Sequence, residues 1–373
     1  MNIVLVGPAY PWRGGIAHST ALLYRHLAKQ HNVRIITFSR LYPELLFPGT
    51  SQKETGLNPA AVTAEPLIDS LNPFSWIRAA RRITFAKPEV AIFKYWHPFF
   101  ALCYATIVSI IRLNTNSRIL FICDNILPHE PFPGSRLLTR LAFRSVHSFI
   151  VLSGTVRNEL LRLQPGAQYR LVAHPLYELF TGSMSKTVAR KRLGITDSQV
   201  LLFFGLVRKY KGLDVLLEAL PIILQSLNLR LLVVGEFYED EDRYKEQLRR
   251  SGCEHSVTIV PDYIPADQVG LYFCACDAVV LPYRSATQSG IVQIAYQFDK
   301  PVITTDVGGL AEAVEHGSTG YVVPPENPNR LADAVLEFYK KKKEPEFVRN
   351  VRKVKRRFSW DAMVEAIEEL CAP

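Results

Sequence analysis

Apolar residues in this chain fall into short unbroken runs and rarely alternate with polar ones. In the first half the runs cover residues 3–6, 33–38, 90–93, 119–123 and 148–152. In the second they cover 200–204, 229–234, 257–260, 278–281 and 302–304. Runs of this kind read as strands buried on both faces, as in a parallel sheet covered by helices. The intervening segments carry helical spacing. Ala17, Ala21, Leu22 and Leu27 follow the first strand, and helices are predicted over 135–145, 155–163, 213–227, 243–251 and 331–343. Residues 99–111 are apolar and uncharged, too short to span a membrane, and read as a buried or interfacial helix. Residues 41–71 are rich in Pro, Gly and Thr and read as an irregular excursion.

The alternation of strand and helix occurs twice, with a break near 171–186. There a short strand runs into Pro175, followed by Thr181-Gly182-Ser183. Pro and small polar residues favour a boundary at such a place. The chain has 373 residues, 48% of them hydrophobic, enough for two domains of roughly 150–200 residues. We place them at 1–178 and 179–352. Two doubly wound domains in tandem are expected to set their strand C-termini across a shared cleft, where ligands bind. Near the end, Trp360, Met363, Val364, Ile367 and Leu370 form a helical stripe that needs a partner surface.

Charge refines this picture. Residues 1–178 hold 19 Lys+Arg against 9 Asp+Glu, while the remainder is nearly balanced. A basic first half suits an anionic surface such as lipid headgroups or a lipid pyrophosphate; solubility alone is the plain alternative. The six cysteines are scattered, and Cys274-x-Cys276 lacks the partners of a zinc site. Reduced thiols and no signal-peptide pattern at the N-terminus lead to a cytoplasmic expectation, with peripheral contact at the inner face of a membrane. No aromatic–basic repeat supports nucleic-acid binding. No G-x-G-x-x-G follows the first strand, which disfavours a dinucleotide-dependent oxidoreductase.

The candidate chemistry lies at strand ends. Arg208 and Lys211 follow the strand ending at Phe204, and Gly212 opens the next helix. Two cations beside a helix N-terminus can hold a diphosphate and stabilise it as a leaving group without a metal. Thr287-Gln288-Ser289-Gly290 leads into an apolar helix whose first amides can take a phosphate, and the Ser or Thr can cap the same helix. Gly308-Gly309 opens another helix. In the first half, Gly14-Gly15 makes a turn that either admits a sugar or phosphate close to backbone or is a tight strand-to-helix link. Asp124, Asn125, His129 and Glu130 follow a strand and suit acid/base or hydroxyl-binding work. His97, at another strand end, reads as structural. Glu239-Asp240-Glu241-Asp242 contains an Asp-x-Asp, but its four acids beside Arg243 read as a solvated helix start.

These residues resemble retaining glycosyltransferases of family four. The likeness rests on Phe204-Gly205-x-x-Arg208-x-Tyr210-Lys211-Gly212, Leu281-Pro282-Tyr283, Lys300-Pro301-Val302-Ile303 and Asp306-Val307-Gly308-Gly309 in this order, together with Gly14-Gly15. The resemblance implies an α/β chain of two Rossmann-like domains (the GT-B architecture). It implies a nucleotide-diphosphate sugar donor on the C-terminal domain, an acceptor on the N-terminal one, and no metal or other cofactor. It also implies a final segment, 353–373, whose helix returns to the N-terminal domain. Two glutamates usual in the family are missing. Registered on Lys300-Pro301, their places hold Ala286 and Ile294.

The expected function is therefore retaining transfer of a sugar from a nucleotide-diphosphate donor to a hydroxyl of a lipid-linked or cell-surface glycan. Arg208, Lys211, Asp124, His129 and Glu130 are the expected catalytic residues, and Gly14, Gly15, Gln288, Ser289 and Gly290 the expected donor-binding ones. The absent glutamates keep a second reading open: a GT-B-fold protein that binds a sugar nucleotide or glycan with little or no transfer.

Overall fold

The computed structural model describes residues 1–44, 47, 49–54, 60–128, 132–180, 182 and 184–371. The chain divides into two compact units. One comprises Met1–Pro175 with Ser359–Pro373, the other Leu176–Phe358.

Among the described residues the first unit is built on seven parallel strands: β1 (Asn2–Val6), β2 (Asn32–Arg40), β3 (Glu65–Asp69), β4 (Val90–Tyr95), β5 (Arg118–Cys123), β6 (Ser148–Val151) and β7 (Tyr169–Leu171). Their order is β3-β2-β1-β4-β5-β6-β7. The central strands β4 and β5 are buried along almost their whole length, as their unbroken apolar runs require. Helices α1 (Gly15–Leu27), α2 (Pro73–Ala86), α3 (Ala101–Asn114), α4 (Ser135–Phe143) and α5 (Gly154–Leu163) link them. One face of the run at 99–111 is core: Tyr104, Ile107, Val108 and Ile111 of α3 are fully buried among Phe93, Phe121 and Phe149, while Leu102 is half exposed. The last helix (Trp360–Cys371) packs on α1, β6 and β7, and buries the whole stripe from Trp360 to Leu370.

The second unit has six parallel strands: β8 (Gln199–Phe204), β9 (Leu229–Val234), β10 (Val257–Val260), β11 (Ala278–Leu281), β12 (Val302–Thr305) and β13 (Gly320–Val323). Their order is β10-β9-β8-β11-β12-β13. Its helices are α6 (Lys186–Arg192), α7 (Leu213–Leu224), α8 (Glu241–Ser251), α9 (Val269–Ala275), α10 (Gly290–Gln297), α11 (Leu310–Ala313), α12 (Pro328–Lys340) and α13 (Glu344–Val354). The acidic run at 239–242 is largely a helix start, since the Asp240 carboxylate caps α8 by accepting from the Asp242 amide at 3.0 Å.

All ten strands read from the apolar runs are present. Two others, β3 and β13, were not read, and the short strand read into Pro175 lies earlier, as β7 ending at Leu171. β3 holds Pro66 and charged ends and pairs on one side only, with a shifting register, so it lacks a buried strand's signature. β7 (Tyr169–Leu171) and β13 (Gly320–Val323) are short and also stand at sheet edges. Helix α2 begins at an Asn72-Pro73 start, with the Asn72 side chain accepting from the Phe74 amide. Its three-arginine centre weakens the apolar periodicity on which the reading relied.

Candidate functional site

Strands β8 and β11 are neighbours where the order of the second sheet reverses. Loops leaving such a pair diverge and open a crevice at the strand C-termini. After β8 the chain runs from Gly205 to Gly212. A single 3-10 turn (Lys209–Lys211) folds this loop back, and Gly212 closes it at φ 66°. A Cβ on Gly212 would lie 2.0 Å from the Pro282 carbonyl oxygen, so the loop rests directly on the backbone after β11. Arg284 ties the two together. Its guanidinium donates to both carboxylate oxygens of Asp214, at 2.7 and 3.0 Å, and to the Lys209 carbonyl at 2.9 Å. Its backbone N–H donates to the Tyr210 carbonyl at 2.7 Å. A bidentate pair of this kind fixes geometry as well as charge.

The clamp holds Lys211 inward. The residue is 8% exposed, and its ammonium lies 5.5 Å from the centre of the Tyr283 ring. It also sits 3.1 Å from where a Cβ on Gly205 would be, so that glycine makes room for it. Among the described residues no carboxylate or other acceptor is paired with this ammonium. Burial, and then the positive charge of Arg208, push its pKa down to about 8. Arg208 is half-buried, with its guanidinium 4.9 Å from the centre of the Tyr238 ring.

The start of α10 belongs to the same neighbourhood. Ser289 Oγ caps the helix by accepting from the Ile291 amide at 3.3 Å and lies 3.5 Å from the Tyr283 hydroxyl. Ile291 Cδ1 is 3.3 Å from the same Gly205 Cβ position that faces Lys211. Ser289 and Gly290 are half-buried, and Tyr177 lies beside Gly290, 3.1 Å from its Cβ position. Gln288 precedes them on the loop. Gly308, at φ 50°, lets the Asp-Val-Gly-Gly turn lie against the Ala286 carbonyl, which a Cβ there would overlap at 1.6 Å. Ala286 and Ile294 are themselves buried. The structure therefore joins Gly205, Lys211, Tyr283, Ser289 and the first turn of α10 in one place, with Arg208 near enough to depress the Lys211 pKa. It can offer an anion two cationic side chains and helix amides. Sequence reasoning missed the Arg284–Asp214 clamp and the Tyr238 platform. Neither residue pair has a spacing that announces contact across the fold.

The residues expected from the first half lie in the first unit. Gly14, at φ 100°, caps α1, and Gly15 is its first residue. A Cβ on Gly14 would meet nothing within 4 Å. Nearby, His18 Nε2 lies 2.7 Å from Glu54 Oε1, with both side chains almost fully buried. Asp124 is 2% exposed and holds the Lys94 ammonium at 2.7 Å. Ser19 Oγ accepts from the same ammonium at 3.4 Å. His174 is buried near this pair and donates through Nδ1 to the Pro175 carbonyl at 2.8 Å. Burial holds its imidazole below the ordinary pKa, opposed by the charge of Asp124. His97 Nδ1 accepts from the Phe99 amide at 3.1 Å, the structural role expected of it. His129 and Glu130 lie outside the described residues. The six cysteines are buried and free.

Residues 198–341, which contain the whole of this arrangement, match the family described as Glycosyl transferases group 1. That segment is a group 1 glycosyltransferase domain. The resemblance read from the motifs holds at this level. Among curated relatives, an uncharacterised glycosyltransferase of Methanocaldococcus jannaschii is 31% identical over 179 residues, which are 46% of this chain and 44% of that protein. A D-inositol 3-phosphate glycosyltransferase of Pseudarthrobacter chlorophenolicus is 30% identical over 182 residues, 47% of this chain and 43% of that one. The chain thus spans less than half the length of either relative. In fold the likeness extends over nearly the whole chain. Sucrose-phosphate synthase of Thermosynechococcus elongatus superposes at a TM-score of 0.75, with 19% identity, over 99% of this chain and 98% of its own. Anabaena HepE, solved in complex with UDP-glucose, gives 0.75 at 19% identity over the whole of both chains. The chain has the GT-B fold of these proteins. No helix among the described residues is long and apolar enough to cross a membrane.

Proposed function

We propose that the protein is a retaining glycosyltransferase that moves a sugar from a nucleotide-diphosphate donor to a hydroxyl of a lipid-linked or cell-surface glycan. One observation carries this reading: the buried Lys211 ammonium with no counter-charge among the described residues, at the switch point of the second sheet. A buried cation without a partner is costly. A bound diphosphate would remove the cost by supplying the missing charge. The complexes of HepE with UDP and UDP-glucose support a nucleotide sugar as the ligand.

In this reading the diphosphate lies between Arg208, Lys211 and the amides at Ser289-Gly290, with Gln288 beside it. As the glycosidic bond lengthens, negative charge grows on the diphosphate and positive charge on the sugar. Fixed cations stabilise that charge more in the transition state than in the ground state, which is what raises turnover. They also supply the role a metal would have, so EDTA should leave activity intact. The acceptor hydroxyl attacks from the face the diphosphate leaves and gives its proton to the departing phosphate. Gly14 and Gly15 admit the donor close to backbone, and the loop after β5 orients the acceptor. There Asp124 acts through its hold on Lys94, and His129 and Glu130 carry the remaining polar groups.

The buried, apolar Ala286 and Ile294 favour one alternative, a protein that binds the sugar nucleotide without transferring it. The experiment that separates the two is a screen of nucleotides and sugar nucleotides by thermal stabilisation, followed by donor turnover with the ligand that binds. A ligand at about 100 times its Kd should stabilise the protein by roughly 2.7 kcal/mol. Stabilisation with measurable donor cleavage or transfer supports the enzyme, and stabilisation without either supports the binding protein. No stabilisation by any nucleotide diphosphate ends both readings.

A further inference from the structure

The outer helices of the first unit combine positive charge with apolar side chains left in the open. α4 exposes Arg136, Leu137, Arg140 and Leu141, and Arg144 follows on the same stripe. Leu137 is 72% exposed, although Ser135, Thr139, Ala142 and Phe143 of the same helix are buried. α3 packs beside α4 and ends in Arg112 and Leu113, the latter 85% exposed. Arg112 donates to the Ser145 carbonyl at 3.3 Å, which brings this end of α3 to the chain just after α4. α2 packs on α3 in turn and shows Phe74 and Phe85 around Arg78 and Arg81. Among the described residues, none of Arg136, Arg140 and Arg144 is in an ion pair. Between Ser70 and Asn158 the only acidic residues are Glu89, Asp124 and Glu130, and Asp124 is turned inward on Lys94.

A cavity of about 340 Å³ opens on the same face between α4 and the end of α5. Leu137, Leu141, Phe143 and Leu163 form its apolar part, and Arg140 and Arg144 stand at its edge. Exposed leucines among unpaired arginines are unfavourable toward water and favourable at a lipid surface, where the apolar groups enter the acyl boundary and the cations meet phosphate.

We propose that α4, with the neighbouring end of α3, is a docking surface for an anionic lipid bilayer, a headgroup phosphate meeting Arg140 and Arg144 while apolar lipid fills the cavity. This deepens the membrane-borne acceptor in the function proposed above and rests on that clause of it alone. It also relocates the contact foreseen from sequence. The apolar run at 99–111 turns its larger face into the core, and the proposed lipid-facing residues are the arginines and leucines of the next helix.

The test is sedimentation of the full chain with vesicles of phosphatidylcholine alone and of phosphatidylcholine mixed with phosphatidylglycerol. Binding is expected only to the mixed vesicles at low salt, and should weaken steeply as salt shortens the Debye length. Replacing Arg140→Glu and Arg144→Glu together should lower partitioning by at least about tenfold. Replacing Leu137→Ser and Leu141→Ser should lower it several-fold while changing no charge. These residues are at the surface, so an unchanged thermal midpoint and unchanged nucleotide stabilisation verify the fold of each variant. The proposal is overturned if the wild type ignores mixed vesicles at low salt, if both variants bind like wild type, or if the chain prefers duplex DNA to the vesicles. Vesicle binding without donor turnover would leave the interface standing and reject transfer; turnover without vesicle binding would reject the interface alone.

Discussion

Each unit of this protein buries a lysine among its strand C-termini, and the two lysines are satisfied in opposite ways. Lys94 in the first unit is 1% exposed and meets Asp124 at 2.7 Å, with Ser19 as a further acceptor. Lys211 in the second is 8% exposed and meets an aromatic ring, a glycine and the field of Arg208. Both positions cost desolvation, but among the described residues only one includes its counter-charge. A completed pair needs no further charge. An incomplete one, held by the Arg284–Asp214 clamp at a switch point, is what the proposed diphosphate would complete. The contrast supports the diphosphate site proposed for the second unit without reference to any relative.

The largest effect expected from breaking this contrast is in the first unit. Asp124→Ala leaves Lys94 as an uncompensated buried cation and should destabilise the protein by about 3–5 kcal/mol in urea unfolding. Adding Lys94→Met to that variant should recover much of the loss, since the pair is then replaced by apolar volume. In the second unit the lysine-to-methionine change should stabilise by itself, because no counter-charge is lost with it. Lys211→Met should raise the stability of the ligand-free protein by about 1–3 kcal/mol, abolish stabilisation by nucleotide diphosphates and lower turnover at least about tenfold. A stability–function trade of this kind marks a site in which the native state is held ready for a ligand.

Acidity sharpens the comparison further. The folded pKa of Lys211, about 8, lies below its ordinary value of 10.5. Below pH 8 both folded and unfolded states carry the proton, and the full cost of the buried charge is present. Between pH 8 and 10.5 the unfolded state holds more protons, so this group makes stability rise with pH, by roughly 3 kcal/mol in all. Diphosphate affinity should run the other way, falling as the ammonium is lost above pH 8. Unfolding and binding measured across this range should diverge in the wild type, and that divergence should vanish in Lys211→Met. A smaller effect is expected at the clamp. Arg284→Lys keeps the charge but loses the bidentate fork, and should weaken nucleotide stabilisation by about 1 kcal/mol with the Lys211 pH dependence retained.

Much of this arrangement was legible in the sequence, because buried parallel strands and glycine-led loops leave local signals. The strands that precede Arg208, Lys211 and Ser289 were readable from their apolar runs alone, and the positions of these residues after strand ends followed. What was not legible depends on contacts between distant residues. Asp124 read as an acid/base candidate because a strand-end carboxylate looks alike whether it faces solvent or Lys94, thirty residues earlier in the chain. The partner of Arg284 is Asp214, on the helix after a different strand. The exposure of Leu137 and Leu141 could not be told from the burial of Phe143, since all lie on one short helix and only packing separates its faces.

The account turns on whether the Lys211 ammonium is the counter-charge of a bound diphosphate, and proton uptake measures that directly. Calorimetric titration with a nucleoside diphosphate near pH 8, in buffers of different ionisation enthalpy, counts the protons taken up on binding. Uptake in the wild type that disappears in Lys211→Met, with weakened binding, is the predicted result. Equal affinity and equal proton exchange in the two proteins would contradict it.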